Sequence, residues 1–373
     1  MAHKTSADYA DAVNGVINHR PLGANFEYLR NPSQSKPWLM IDKLMGTGKN
    51  AKRWRAQGGS QIEVDVVYQD NGTAAFVYPD QTYTLTSRDF TAKATIPWRH
   101  INAFYTVGRE EIRICRAPEK LYDSVIAPKR LGTQMNMAEV IESETFAASD
   151  GTSGLAPLTM PYWVVPITGA QVTALTRTFQ GAGTAYGTAS TTVGGLSTST
   201  YTRWKNYNDV RATSDGSWTD ADNDRFCWMF DDMQFKAPQN VEMLKDSPFN
   251  MLGVYTDRTT KTSLERRALQ QNDNVGPDVA RYHGGTFIKN IPIEHVRALD
   301  TASATARGTY PLYLMNWAYG APVIREGNFF REEAFPGTGE APNLTVVHID
   351  LSYNLLVTNR MLFGGVISYV AAG

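Results

Sequence analysis

Apolar residues recur at two different periods along the chain. Between residues 61 and 67, Ile62, Val64 and Val66 alternate with Glu63 and Asp65, the pattern of a strand with one covered face. DNGT at 70–73 offers a tight turn, and 74–86 (AAFVYPDQTYTLT) is the predicted return side, with Pro79 limiting its ladder bonds. Another strand is predicted over 94–107 (ATIPWRHINAFYTV). The period then lengthens. From Pro118, a residue suited to a first helical turn, Leu121, Val125, Met135, Ala138, Ile141 and Phe146 fall on roughly one side of a helix. Pro128 and Gly132 are expected to kink or interrupt it, and Ser149-Asp150-Gly151 to end it.

The same reading places a short amphipathic helix at 6–19, with Tyr9, Val13, Val16 and Ile17 along one side. Gly15 weakens it, so a packed helix and an arm that orders on contact are both open. Residues 180–203 are small and polar, an ordered connection or a flexible loop. An aromatic-rich helix is predicted over 222–236, with Asp222 or Asp224 as its N-cap. Strand character returns at 344–351 and 353–358. Helix and strand mix without regular βαβ alternation, which makes the fold class α+β.

Composition narrows the class of protein. A chain of 373 residues exceeds the usual single core, so two domains or one elaborated domain is expected. With 42% hydrophobic and 20% charged residues it has the make-up of a folded protein. A net charge of −1 gives no overall attraction to nucleic acid or membrane, so any such contact must be local. The one imbalance lies in residues 1–60, where nine Lys or Arg face four Asp or Glu, with Lys49, Lys52, Arg53 and Arg55 clustered. Two cysteines, Cys115 and Cys227, make no disulfide framework and point to a reducing compartment. The N-terminus is too polar for a secretory signal, and no apolar run approaches the ~18 residues that span a bilayer. A protein made and kept in a cytoplasm is expected.

Templates for chemistry fail one by one. GTGKN at 46–50 lacks the P-loop glycine, where Lys43 sits, and its Ser or Thr, where Asn50 sits. Asp220, Asp222 and Asp224 open like a calcium loop, but Arg225 takes the place of the obligatory glycine and an apolar run follows, so helix capping is the better account. The six histidines include no close metal-ligand pair. There is no GxSxG, HExxH or dinucleotide fingerprint. Trp204, Trp228 and Trp317 are expected in the core. What remains is a two-stranded excursion that is marginal in water by itself and whose edges invite a neighbouring chain.

One arrangement accounts for the order of segments. Gly58-Gly59 precedes Ile62 and the hairpin; Ala94 to Trp98 is a Trp-containing strand; the helix from Pro118 ends in Phe146 and Asp150-Gly151, followed by Gly154-Leu155 through Leu158. Thr-Val-Gly-Gly-Leu at 192–196 with Trp204, YPLYLMN from Tyr310 to Asn316, and NLLVTNRMLFGGVI from Asn354 to Ile367 come next. Over most of its length this order resembles the major capsid proteins of tailed double-stranded DNA phages, with the Hong Kong 97-type fold. Ser197 and Met361 depart from it, standing where the family commonly has Asp and Arg.

The resemblance implies an N-terminal arm at 1–24 and an extended hairpin loop at 51–93. It implies a peripheral domain from 25–50, 94–150 and 335–373, with a spine helix about 118–148, and an axial domain at 151–334. It further implies a structural protein without catalytic, cofactor or metal site. Such a chain builds pentamers and hexamers of an icosahedral shell, in the host cytoplasm, as part of a virion enclosing double-stranded DNA held by non-specific contact. Portal and decoration proteins are implied partners, and the chain's start at the arm implies a separate scaffolding protein or a processed form. Inter-subunit contact is assigned to Lys49, Lys52, Arg53, Arg55, Ile62, Val64, Val66, Tyr78, Tyr83, Tyr9 and Val13, and local variation to 180–195. A cargo nanocompartment shell of the same fold and an enzyme with an unrecognised site are the alternatives, separated by self-association and contents.

Overall fold

The structure, a computed structural model, describes residues 6–19, 39–45, 53–67, 76, 78, 89, 91–115, 117–147, 154–166, 178–180, 192–197, 200–201, 204–211, 214–235, 251–272, 287–288, 291–300, 309–336 and 343–369. In chain order, helices α1 (Ser6–His19) and α2 (Leu39–Met45) lead to strands β1 (Trp54–Ala56), β2 (Gln61–Val67), β3 (Thr91–Pro97) and β4 (Arg99–Gly108). Helix α3 (Arg109–Ile114) precedes α4, which runs from Pro118–Leu121 through a π-helical turn at Tyr122–Ile126 into Ala127–Thr145. The middle of the chain holds α5 (Met160–Trp163), β5 (Thr178–Gln180), β6 (Thr192–Val193), β7 (Leu196–Ser197), β8 (Asn206–Val210) and α6 (Asp220–Phe235). Then come β9 (Leu252–Thr256), α7 (Arg258–Asn272), β10 (Phe287–Ile288), β11 (Ile291–His295) and α8 (Arg297–Asp300). The chain closes with β12 (Thr309–Asn316), β13 (Gly320–Pro336), β14 (Leu344–Val357), α9 (Arg360–Phe363) and β15 (Gly364–Tyr369).

Two compact units result. The first joins Met1–Gly59, Trp98–Glu144 and Pro322–Asn354, and the second joins Ser60–Pro97, Thr145–Ala321 and Leu355–Gly373. This division puts 322–334 with the first unit and 355–373 with the second, whereas the resemblance implies a break at 334/335.

In the first unit a four-stranded sheet has the order β1-β13-β14-β4. Antiparallel β14 and β4 run in one register from Leu344↔Gly108 to Tyr353↔Arg99. Tyr105 and Val107 of β4 and Val347, Ile349 and Leu351 of β14 are buried on one face, as period-two alternation requires. The two strands expected at 344–351 and 353–358 are therefore one. Helix α4 is continuous through Pro128 and Gly132, contrary to the expected interruption. Its π turn lies just before Pro128, with the Ala127 N–H reaching back to the Tyr122 carbonyl, and so takes up the loss of proline's donor. The extra residue advances the buried stripe by one position: Ile126, Arg130, Gln134 and Met137 are covered. Met135, expected inside, is 47% exposed, and Val125 is only half-buried. Helix α1 is packed: Val13 and Ile17 are buried, and the Asn14 amide donates to the Ala334 carbonyl at 3.1 Å while accepting the Ala334 N–H at 2.8 Å.

In the second unit β2 pairs with β3, so the described antiparallel partner of Ile62–Val66 is 92–96, while the expected return side at 74–86 lies outside the described residues apart from Phe76 and Tyr78. The pairing sets Ile62 against Ile96 and Val64 against Ala94 on one face, and Asp65 against Lys93 on the other, and cross-strand complementarity of this kind selects the register. The expected strand at 94–107 consequently divides at Trp98. A seven-stranded mixed sheet has the order β10-β11-β9-β12-β15-β8-β5. Phe226, Met229 and Met233 of α6 and Leu264 of α7 join Val254, Leu312, Leu314 and Ile367 of the sheet in one core. Thr219, and not Asp222, is the N-cap of α6. The Thr219 hydroxyl accepts the Asp222 N–H at 3.3 Å while the Asp222 carboxylate accepts the Thr219 N–H at 3.0 Å, a reciprocal capping box. Trp204 and Trp317 are buried as expected, whereas Trp228 is 49% exposed.

Candidate interaction surfaces

Groups that carry chemistry elsewhere are occupied here in holding the sheets together. His100 and Ser352 sit directly opposite on β4 and β14, with Nδ1 and Oγ 2.6 Å apart, but Ser352 is fully buried and no substrate reaches its hydroxyl. His295 Nε2 lies 2.8 Å from Asp300, and Asp300 also accepts the Arg258 N–H at 2.8 Å, which ties α8 to the start of α7. Among the described residues no group of three or more His, Cys, Asp or Glu is arranged to hold a metal ion, and no helix is long and apolar enough to cross a membrane. Cys115 and Cys227 are both free thiols.

Three buried arginines organise the units from within. Arg130 of α4 pairs with Glu332 of β13, and Tyr105 donates its phenol to the same carboxylate at 2.6 Å. Burial opposes the Arg130 charge, but the hydrogen bond and charge of Glu332 outweigh it and hold the guanidinium above its ordinary pKa. Burial first, and Glu332 second, push the Tyr105 phenol upward. Among the described residues Arg211 has no such ion pair. Its Nη1 donates to Thr260 Oγ1 at 2.7 Å and the Tyr310 carbonyl at 3.0 Å, and its Nη2 to the Ser217 carbonyl at 3.0 Å. Arg360, on the short helix that Asn359 caps, donates at 2.9 Å to the carbonyls of Trp163 and Trp204 and to Asn206 Oδ1. Burial lowers its pKa to about 9, so it is charged at neutral pH. The Asn359-Arg360 pair is visible in sequence; its role as a clasp on two separated segments, at Trp163 and at Trp204–Asn206, is not.

A second clasp is made by glycines. Gly194 and Gly195 have φ of +61° and +78°, the two positive values of a type I′ turn between β6 and β7. The Thr95 N–H of β3 donates to the Gly194 carbonyl at 3.1 Å, and a Cβ on Gly195 would lie 2.9 Å from Thr95 Oγ1. This turn therefore docks the β2–β3 hairpin within its unit.

The residues assigned to inter-subunit contact are dispersed. Tyr9 and Val13 are buried within their own unit, as are Ile62 and Val66, while Val64 is half-buried. Arg53 is half-buried, donates to the Leu44 carbonyl at 3.0 Å and lies 5.2 Å over the Phe329 ring; burial first, and neighbouring Arg55 second, lower its pKa. Arg55 is exposed at the middle of β1. Tyr78 is 81% exposed and Phe76 and Val67 are exposed with it. Lys49, Lys52 and Tyr83 lie outside the described residues, as does 181–191 of the stretch assigned to local variation. On the first unit's sheet, Phe104 (63% exposed) and Phe335 flank His348 at 6.1 and 5.5 Å between ring centroids. Sequence reasoning missed this trio because Phe104 and Phe335 come together only through β14.

No family model matches the sequence, and no curated protein matches it. Solved structures do. A chain of the Cyanophage A-1(L) capsid asymmetric unit superposes with a TM-score of 0.56 at 15% identity, over 85% of this chain and 90% of that one. A chain from the capsid of an empty GTA particle superposes with a TM-score of 0.50 at 10% identity, over 90% of this chain and 92% of that one. The chain has a capsid-protein fold. The likeness spans 85% of this chain, more than either compact unit by itself, so the shared fold takes in parts of both.

Proposed function

We propose that the chain is the major capsid protein of a tailed double-stranded DNA phage, a structural protein that assembles into the icosahedral shell of the virion. The observation that carries this reading is the capsid fold, shared over 85% of this chain and 90% of its cyanophage counterpart. In this reading α1 belongs to the N-terminal arm and β2 and β3 form the base of the extended loop. Helix α4 is the spine of the peripheral domain, and the seven-stranded sheet with α6 and α7 is the axial domain that gathers into pentamers and hexamers. Exposed Val67 at the end of the β2–β3 pairing, with Phe76 and Tyr78 after it, supplies apolar area for a neighbouring subunit. Many repeated contacts of this kind hold a shell against packaged DNA.

Electron microscopy and sedimentation velocity of the purified chain, alone and with a candidate scaffolding protein, test the reading. Shells, or rings of five and six copies, are the expected result. A monomer or dimer under every condition would overturn it, and particles filled with protein cargo would move it to a nanocompartment.

A further inference from the structure

The second unit carries opposite charge on its two long helices. Helix α6 has five aspartates against Arg225, and α7 has Arg258, Lys261, Arg266 and Arg267 against Glu265. Inward-turned groups do not cancel the difference. Asp222 closes the N-terminal capping box and Asp232 is buried, while Arg225 donates to the Val210 carbonyl and pairs with Asp209. What α6 presents outward is Asp220, Asp224 and Trp228, spaced at i, i+4 and i+8 along one stripe, with the Asp220 side chain 79% exposed and Trp228 49% exposed. Arg267 turns toward α6, pairing with Asp220 and donating to the Trp218 carbonyl at 3.2 Å, and Lys261 lies 3.9 Å from Glu265. Arg258 and Arg266 are exposed on α7.

The two helices also lie toward opposite edges of the sheet. Helix α6 packs over β8 and β15, near the β5 edge, and α7 over β11 and β12, toward the β10 edge. Among the described residues the exposed side of α6 beyond the Arg267–Asp220 pair therefore offers Asp224 and Trp228, and that of α7 offers Arg258 and Arg266. A side-by-side two-fold contact would set like charges together. A rotation that brings the exposed Asp224 and Trp228 of one copy to Arg258 and Arg266 of the next satisfies both and repeats around a ring.

We propose that Asp224 and Trp228 on α6 of one copy of this chain dock against Arg258 and Arg266 on α7 of the adjacent copy, as the heterologous contact of a capsomer. The indole gives the contact an apolar anchor over which an arginine of the neighbour stacks, and the charges set its direction. This inference rests on the shell-protein reading and names the residues that would close its rings.

The test compares the wild-type chain with Asp224→Lys, Arg266→Glu and the double variant, by sedimentation velocity and electron microscopy, with far-UV circular dichroism as the folding control. Wild type is expected to form rings or shells, each single reversal to lower the assembled fraction about tenfold, and the double variant to recover it, because both sides of the contact then exchange sign. Arg258→Glu replaces Arg266→Glu if the latter does not fold. Single variants that assemble like wild type, a double variant that fails to recover, or a charge-dependent species that is a closed dimer would each overturn the contact while leaving the shell reading intact. A wild-type chain that never assembles overturns both.

Discussion

Glu332 gives buried Arg130 a full counter-charge, whereas buried Arg360 is bonded to carbonyl oxygens. The difference predicts different responses to substitution. Glu332→Gln strands a charge in the first unit's core and should cost about 3 kcal/mol or more, while Arg130→Met with Glu332→Leu should cost much less, because the pair's own desolvation disappears with it. Denaturant unfolding of the three chains measures this, and equal losses would show that shape and not charge governs the site. Nearer the surface, the hydrogen bond from Lys129 first, and that from the Gly108 N–H with it, hold the Glu111 carboxyl below its ordinary 4.5 against the opposing effect of burial. A lowered carboxylate contributes stability that is present above the unfolded pKa and lost as pH falls through the folded one. Stability measured from pH 6 down to about 3 should therefore fall less steeply in Glu111→Gln than in the wild-type chain below ~4.5; parallel curves would remove Glu111 from the acid response.

Among the elements, the β6–β7 turn and the π turn of α4 each depend on one local departure from regular geometry. Gly195 combines φ of +78° with a Cβ position 2.9 Å from Thr95 Oγ1. Gly195→Ala should thus cost about 1–2 kcal/mol in the left-handed conformation alone and also push β3 away. Amide exchange at Thr95, whose N–H donates to Gly194, is the direct readout: faster exchange is expected, and an unchanged rate would mean that β3 is held by other contacts. In α4 the π turn has a packing consequence. It carries the buried stripe from Leu121 to Ile126, five residues on, and thereby brings Arg130 to Glu332.

At the scale of the whole molecule, the two described members of the basic cluster, Arg53 and Arg55, differ in their engagement. Arg53 is engaged by its own chain at the Leu44 carbonyl and Phe329, and Arg55 is left exposed on β1. Arg55→Glu should leave the chain folded and reduce shell formation, read by particle counts in electron microscopy; normal shells would take Arg55 out of the subunit contact. Much of the architecture was legible in sequence. Period-two alternation marked β2, the longer period marked α4, strand character marked β4 and β14, and the order of the Gly-Gly and Asn-Arg segments carried the resemblance. These signals are local, since they arise from backbone sterics and from one covered face. Other features depend on residues far apart in sequence. The partner of β2 is decided by apolar pairs such as Ile62 with Ile96, and the covered side of α4 by its π turn and by Glu332, more than 200 residues away from Arg130. Exposure of Trp228 follows from which face of α6 the sheet covers. Sequence by itself determined the type and order of β2, α4, α6 and β14; only the tertiary structure decided their partners and their buried faces, because burial is set by non-local neighbours and not by a residue's own propensity.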